Sequence, residues 1–593
     1  MSRFFTKLFA VIGFCVVLLV LIGCGLGYYF QQQPNPEPGS IVLSLDFDEP
    51  IAEQASPSAL DIALHDQTTP LFDVLRAIAR GKADPHVKGI VAHFGGTQPS
   101  LAHGEEIRQA LMDFRASGKL TYAFAPSYGD FGTGNRVYYI ASAFENIWLQ
   151  PVGAVGLTGV AVEMPFGKTA LEKVGIAADF MQREEYKSAM DSVTRDDFAP
   201  QVRIETQVMI EDLASQIAAG IAESRKWDAA RVKSLMAQGP YTDQEAFKAE
   251  LVTHLGYADE LQAELDEKIG KDVAQVSVED YLAYDATPVE KPKAKVALIY
   301  GSGLIVDKAD GPVGVPGEDH VMGADKLASA FDDAADAKDV DAILFRIDSP
   351  GGSPDASETI RHALIHAQKQ GKPVIVSMGD VAASGGYWIA MNADRIIAEP
   401  ATLTGSIGVL GGKFVIGGLL DKLGVKTETL KTDEGAGMWS MTEGFSQLQR
   451  ARVNALLDQT YAIFTKYVSD ARKIPMEKMP DIAKGRVWTG AQAVKIGLVD
   501  ELGGYDVAVG EIRKRLKLGK DDAIDLQTFP APESPFERVM KLVKSLGAES
   551  AMLGPLILEW QKLDAVLAPA LRQATAVAPV QLRMRPIAPS VPQ

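Results

Sequence analysis

The chain has 593 residues, 47% of them hydrophobic, and a formal net charge of −18. Such acidity argues against nucleic acid as a partner, because a polyanion is repelled. The two cysteines, Cys15 and Cys24, both lie near the N-terminus. The body beyond them, roughly 560 residues, therefore relies on its own buried core rather than on disulfides or cysteine-held metal.

Residues Leu8 to Phe30 carry no charge. As a helix they would span about 34 Å, enough to cross a hydrocarbon core of about 30 Å. Arg3 and Lys7 precede this segment, and no Lys or Arg follows until Arg76. The positive-inside rule then puts the N-terminus in the cytoplasm and the body on the far side. A retained anchor is favoured over a cleaved signal peptide, since the apolar run is long and no Ala-x-Ala-like site follows it. Leu21-Ile-Gly-Cys24 fits the short pattern of a lipoprotein site, but apolar residues continue past Cys24. Residues 31–40 are polar and proline-rich, as expected of a spacer.

Two stretches of the body repeat one another. Tyr139 to Pro151 runs parallel to Trp388 to Pro400 at a spacing of 249 residues, and the same spacing aligns Gly156 with Gly405 and Gly159 with Gly408. Nearby spacings align Ile90 with Ile343, Arg108 with Arg361, and Leu251 with Leu498. A tandem duplication of one domain is the implied organisation. The expected boundaries are an anchor at 1–30, a first repeat at 41–285, a linker at 286–295, a second repeat at 296–530 and a tail at 531–593. Each repeat alternates strand-like and helix-like segments. In the second, 296–300, 342–347 and 373–377 read as strands and 356–369 as a helix with apolar 3–4 spacing, so the fold class is α/β with parallel strands.

The apolar run 374–383 leads to Ser384, with Gly385, Gly386 and an apolar, helix-compatible stretch from Tyr387 behind it. A serine at a strand-to-helix turn has backbone N–H groups and a positive helix end beside it, a setting that activates a nucleophile and holds an oxyanion. An isolated Ser-Gly-Gly is ordinarily only a helix start. Opposite Ser384 the first repeat carries Asn135, and opposite Gly351-Gly352 it carries Gln98-Pro99. Conversely, Lys187 in the first repeat faces Ala436 in the second. Neither repeat alone looks competent. All eight histidines precede Ser384, which makes a lysine base worth considering. Lys187 sits in a charged stretch typical of a solvated surface. To serve as a base it must be buried beside Ser384, because desolvation lowers a lysine pKa from about 10.4 by up to about 3–5 units. Asp380 and Arg395 read as structural residues rather than catalytic partners.

Gly379-Asp-Val-Ala-Ala-Ser-Gly-Gly-Tyr387, Asp348-Ser-Pro-Gly-Gly-Ser353, Thr402-Leu-Thr-Gly-Ser-Ile-Gly408 and Tyr186-Lys187-Ser188 resemble the motifs of bacterial signal peptide peptidase A. The resemblance is to the long, duplicated, membrane-anchored form, over roughly residues 1–530. It implies a Ser-Lys protease with Ser384 as nucleophile, Lys187 as general base and Ser406 bonded to the lysine amine. Gly352 and Gly385 match the positions that donate oxyanion-hole N–H groups. It also implies two crotonase-like superhelical domains related to the Clp protease subunit, a homotetramer, and a bacterial inner-membrane enzyme with its body in the periplasm. Substrates would be cleaved signal peptides and other apolar peptides, with no cofactor. The alternatives are an acyl-CoA hydratase or isomerase on the same scaffold, and a catalytically silent peptide-binding scaffold.

Overall fold

A computed structural model describes residues 39–54, 68–129, 132–271, 273–284, 292–308, 321–520, 522–530 and 581–582. The expected anchor, both cysteines, most of the spacer and most of the tail lie outside the described residues. Among the described residues no helix is long and apolar enough to cross a membrane.

The first half alternates strands and helices: β1 Ile41–Asp46, α1 Leu71–Ala83, β2 Val87–His93, α2 Leu101–Arg115, β3 Leu120–Ala125, α3 Asn135–Ala141 and β4 Asn146–Leu149. There follow β5 Ala177–Arg183, α4 Pro200–Arg225, β6 His254–Leu255 and β7 Ala274–Val276. The second half repeats the plan with β8 Ala294–Ser302, β9 Ala342–Ser349, α5 Pro354–Lys369, β10 Val374–Ala383, α6 Gly385–Ala390, β11 Arg395–Ala398 and β12 Leu403–Gly405. Then come β13 Val409–Val415, α7 Gln447–Arg472, β14 Val487–Thr489, β15 Glu501–Leu502, α8 Tyr505–Leu516 and β16 Ile524–Phe529.

One sheet has the order β6-β4-β3-β2-β1-β7 and the other contains β15-β11-β10-β9-β8-β16. Strand for strand the two orders correspond, and every pairing along both paths is parallel. A buried tyrosine marks the correspondence in side chains too. Tyr138 donates to the Leu251 carbonyl at 2.8 Å, and Tyr387 donates to the Leu498 carbonyl at 2.9 Å.

Local sequence explains the elements. Along α1, Leu71, Val74, Leu75 and Ile78 recur at helical spacing and all are buried, as an amphipathic helix on a sheet requires. Helix α5 starts at Ser353, whose hydroxyl accepts from the Ala356 N–H, and Pro354 fills its first position, where a missing N–H costs nothing. The central strands β8 to β10 are nearly continuous apolar runs because helices cover both faces. The core around β1–β4 extends without a break to Leu298, Leu344, Ile375 and Tyr505 of the second half. One face of the second sheet is thus packed against the first half, and its other face carries its own core with Phe331, Phe345 and Trp388.

Charge is buried between the halves. Arg346 on β9 is 1% exposed and donates to both carboxylate oxygens of Glu53 at 2.9 and 2.6 Å, to Glu106 at 2.6 Å and to Ser377 at 2.9 Å. Its guanidinium also lies 4.5 Å from the Tyr505 ring centroid. Glu53, Glu106 and His103, which holds Glu53 at 2.8 Å, come from the first half; Arg346, Ser377 and Tyr505 come from the second. Burial alone would raise the Glu53 carboxyl, but Arg346 and His103 outweigh it and hold it down at about 2. Removing the cation would strand two buried carboxylates. Arg346→Met is expected to cost about 3–5 kcal/mol of unfolding free energy, read by urea titration with tryptophan fluorescence. A loss below about 1 kcal/mol would place this cluster in water rather than in the core.

Candidate active site

Strand β10 delivers Ser384 and helix α6 begins with the next residue. The helix starts two residues earlier than the sequence pattern indicates and stops at Ala390. Gly385 and Gly386 permit this. A Cβ at Gly386 would lie 2.6 Å from the Ser349 carbonyl oxygen, and one at Gly385 would lie 2.7 Å from Ser357 Oγ. Ser384 occupies the helix N-cap position, yet its side chain makes no cap hydrogen bond, and its φ of 54° is in the left-handed region. Non-glycine residues at positive φ are uncommon and store strain. The hydroxyl is therefore presented rather than spent on capping.

The glycine turn of residues 351–352 lies against this serine. A Cβ on Gly351, whose φ is 109°, would come within 2.8 Å of Ser384 Cβ and 2.6 Å of the Gly385 nitrogen, so only glycine allows the approach. Gly352 bridges Ile305 in parallel. The bonds of that bridge run from Ile305 N–H to the Gly351 carbonyl and from Ser353 N–H to the Ile305 carbonyl. The Gly352 N–H consequently faces away from the bridge. Gly385 is the first residue of its helix, where the N–H has no intrahelical acceptor. The two amides are neighbours, since a Cβ on Gly385 would lie 3.0 Å from the Gly352 nitrogen.

The lysine arrives from the other half. Strands β5 and β13 form an antiparallel pair with Arg183 opposite Val409. Lys187 lies just beyond the last residue of β5 and Ser406 just before the first residue of β13, so both stand at the same end of the pair. Lys187 Nζ donates to the carbonyl oxygen and to Oγ of Ser406, each at 2.8 Å. Ser406 is itself fixed by its N–H on the Arg486 carbonyl at 2.6 Å and has a φ of 50°. The neighbouring Gly405 carbonyl accepts the Ser384 N–H at 2.9 Å, and β12 and β10 pair Gly405 with Ala383. Ser384 and Ser406 therefore stand side by side at the ends of two paired strands, with the lysine amine on one of them.

Lys187 is 5% exposed, contrary to what its charged sequence neighbours suggest. Those neighbours turn outward: Glu185 pairs with Lys484 at 3.1 Å, and Arg183 with Asp458 at 2.5 Å. Gly485 makes the burial possible, for a Cβ there would lie 2.5 Å from the Lys187 nitrogen. Burial lowers the Lys187 pKa to about 7. A neutral amine has two N–H donors and one lone pair. With both donors on Ser406, the lone pair is free to accept a proton at neutral pH.

The remaining sequence candidates separate cleanly. Asn135, the counterpart of Ser384, accepts from Thr158 N–H at 2.8 Å and donates to the Gly159 carbonyl at 3.3 Å, a purely structural use. Arg395 pairs with Glu501 at 3.3 Å. Asp380 accepts from Ser100 of the first half. A cavity of about 160 Å³ lined by Tyr186, Glu205, Arg486 and Trp488 adjoins the lysine loop, but neither Lys187 nor Ser384 lines it. Sequence reading missed Gly485, the close approach of Gly351 to Ser384 and the contacts of Ser100. Gly485 in Lys484-Gly-Arg486 carried no signal beyond being one glycine among 54.

Comparison with known proteins places the chain in a family. Residues 118–273 and 366–519 match peptidase family S49, once in each half. Protease 4 of Salmonella typhi is 33% identical over 528 residues, which cover 85% of this chain and 83% of that protein. Protease 4 of Haemophilus influenzae is 29% identical over 540 residues, 86% of this chain and 85% of its own. The chloroplastic serine protease SPPA of Arabidopsis thaliana is 28% identical over 509 residues, 84% and 72% of the two chains. With a family match in each half and identity across most of its length, the chain belongs to peptidase family S49 and is a serine protease.

Proposed function

We propose that this protein is a membrane-anchored endopeptidase whose Ser-Lys dyad is divided between its two halves, and that it degrades cleaved signal peptides and other extended apolar peptides. The observation that carries the reading is the buried amine of Lys187, held on Ser406 next to Ser384. In the first step the neutral amine takes the Ser384 hydroxyl proton as Oγ attacks the scissile carbonyl carbon. The carbonyl oxygen becomes an oxyanion and is received by the N–H groups of Gly352 and Gly385. The resulting ammonium gives its proton to the leaving amine, which departs and leaves an acyl-enzyme. Lys187, neutral again, then deprotonates a water that attacks the acyl carbon; the bond to Ser384 Oγ breaks, the ammonium returns its proton to Oγ, and the acid leaves. Ser406 holds the amine so that its lone pair faces the serine.

The charge-free stretch of residues 8–30, preceded by Arg3 and Lys7, supports an anchor in a bacterial inner membrane with the body in the periplasm. The parallel, repeated α/β halves support a pair of crotonase-like, Clp-protease-like domains. By the same family resemblance the enzyme is a homotetramer. A silent scaffold would need an exposed Lys187, and the side chain is buried.

Peptide hydrolysis by the full chain tests the dyad. Ser384→Ala and Lys187→Met are each expected to lower kcat by about 10⁴-fold or more on an apolar peptide. If Lys187→Met keeps the wild-type rate while Ser384→Ala loses it, the lysine is not the base.

The pH profile tests the same amine independently. Below its pKa the lysine is protonated and inert as a base, so kcat/KM should rise with unit slope up to about pH 7 and then level off. A profile flat between about pH 5.5 and 8 would contradict a base of that pKa.

Stability carries a third signature. With a folded pKa of about 7 against 10.5 for the ordinary side chain, the unfolded chain binds the extra proton between those values. Native stability therefore rises with pH across that window, and the cost of the buried amine is full below about pH 7. Lys187→Met should raise Tm most at acid pH, with the advantage shrinking toward about pH 10. An advantage that does not vary with pH would mean the amine titrates normally in the native state.

A further inference from the structure

The strand that delivers Ser384 is not regular. Between the pairs Ile347–Met378 and Ser349–Ala382 the register of β9 and β10 slips, so Gly379, Asp380 and Val381 lie opposite Asp348 alone. Such a bulge bends its strand and leaves backbone groups to be satisfied elsewhere. Here the Val381 N–H goes to the Asp348 carboxylate at 2.9 Å, and the Gly379 carbonyl accepts from Thr402 Oγ1 at 2.7 Å. The remaining contacts come from the first half. Asp380 accepts from the Ser100 hydroxyl, and its other oxygen is 3.7 Å from His103 Nε2. His103 in turn holds Glu53 at 2.8 Å. Gly379 leaves room for the Glu53 carboxylate, which a Cβ would meet at 2.4 Å. Ser100 is the N-cap of α2, so its oxygen accepts from the His103 N–H at 3.2 Å while its hydrogen goes to Asp380.

Beyond the bulge β10 changes partner. Before it, Ile375 to Met378 pair with β11; after it, Val381 to Ala383 pair with β12, which leads to Ser406. The angle of the bulge thus decides where Ser384 stands relative to the lysine amine and the glycine amides.

We propose that Ser100 and Asp380 are a positioning pair for catalysis: Ser100, fixed at the head of α2, holds the β10 bulge through Asp380 and so aims Ser384. The inference rests on the reading of Ser384 as the nucleophile. The pair acts on the serine only through backbone, and neither member touches substrate. His103 and Glu53 supply the second contact from the same half, so the first half both brings the lysine and sets the angle of the strand bearing the serine. A partly exposed hydrogen bond moves global stability little, whereas a displacement of about 1 Å at the reacting atom costs about 10² in rate. Catalysis, not folding, is where its loss should register.

The test uses the full-length enzyme and compares wild type, Ser100→Ala, Asp380→Ala, the double variant and Asp380→Asn. For each, kcat and KM on an apolar peptide, the rate of fluorophosphonate labelling at Ser384 mapped by mass spectrometry, and Tm are measured. Both alanine variants are expected to lose about 10- to 100-fold in kcat and in labelling rate, with KM changed by less than about threefold. The double variant should be no slower than the slower single, because the two act as one unit. Asp380→Asn, whose carbonyl oxygen still accepts from Ser100, should recover most of the rate. Wild-type labelling and turnover in the alanine variants would overturn the proposal. So would losses that multiply in the double variant and follow a fall in Tm. A wild type that cleaves peptide without labelling at Ser384 would overturn the nucleophile reading itself, and this inference with it.

Discussion

Everything at the candidate site depends on one antiparallel pairing, in which β5 of the first half lies along β13 of the second. Backbone hydrogen bonds fix register to the residue, because a slip of one place turns every side chain to the opposite face. With Arg183 opposite Val409, the chain leaving β5 must pass the chain entering β13, and Lys187 meets Ser406 there. A lysine tethered by its own flexible stem could not be held so closely. The cost is the desolvation of an ammonium, and the pKa of about 7 records it. The same desolvation makes the amine a competent base near neutral pH. Strain at Ser384 and burial at Lys187 are thus both sustained by contacts made elsewhere in the fold.

Beside the apolar core that the halves share, a buried ionic cluster joins them. Arg346, Glu53, Glu106 and His103 are all buried, and burial alone would lower the His103 pKa. The hydrogen bond and charge of Glu53 outweigh it and raise that pKa to about 9, so the pair is ionised at neutral pH. Such clusters are weak sources of net stability, but each member is strongly disfavoured without its partners. They tie Glu53, Glu106 and His103 of the first half to Arg346 and Asp380 of the second. The carboxylates around it show how tight the balance is: burial pushes Glu105 up to about 8 and Asp348 up to about 6.

The sequence conveyed elements with a periodic signal and residues with a motif. Strands expected at 342–347 and 373–377 occur as Ala342–Ser349 and Val374–Ala383, and the helix expected at 356–369 occurs as Pro354–Lys369. Ser384, Ser406, Gly352, Gly385 and Lys187 come together around one point because the motif glycines and serines sit at strand ends, where local chain geometry is restrictive. What stayed hidden is long-range. Glu53 and Arg346 are 293 positions apart, and an isolated charge in a strand or loop has no period that betrays burial. The same holds for Lys187, whose flanking charges suggested a solvated surface. Each of them finds its own partner outward, which no local pattern reveals. The strand β10 also runs through Asp380, which reads as a turn residue in sequence. Its carboxylate is satisfied by Ser100 rather than by the local backbone, so turn propensity was overridden by a tertiary contact.

The asymmetry of the duplication follows from these contacts. At matching places, Ser100 caps α2 and Ser353 caps α5. Ser353 sends its hydrogen to nearby Asp355 at 2.6 Å, a local use, whereas Ser100 sends its hydrogen across to Asp380 of the other half. Just before these caps, Gly352 keeps an N–H that Pro99 lacks, and Asn135 holds Thr158 and Gly159 where the Ser384 side chain makes no cap hydrogen bond. The first half, with Asn135 where the second has Ser384, directs a cap and carboxylates across to the second. The second half sets a half-buried Ser384 beside buried Gly385, next to an apolar core that includes Ala382, Tyr387 and Ile407. The meeting of Lys187 with Ser406 and the mating of the halves are then one constraint. A change that loosens the seating should separate lysine from serine before it unfolds either half.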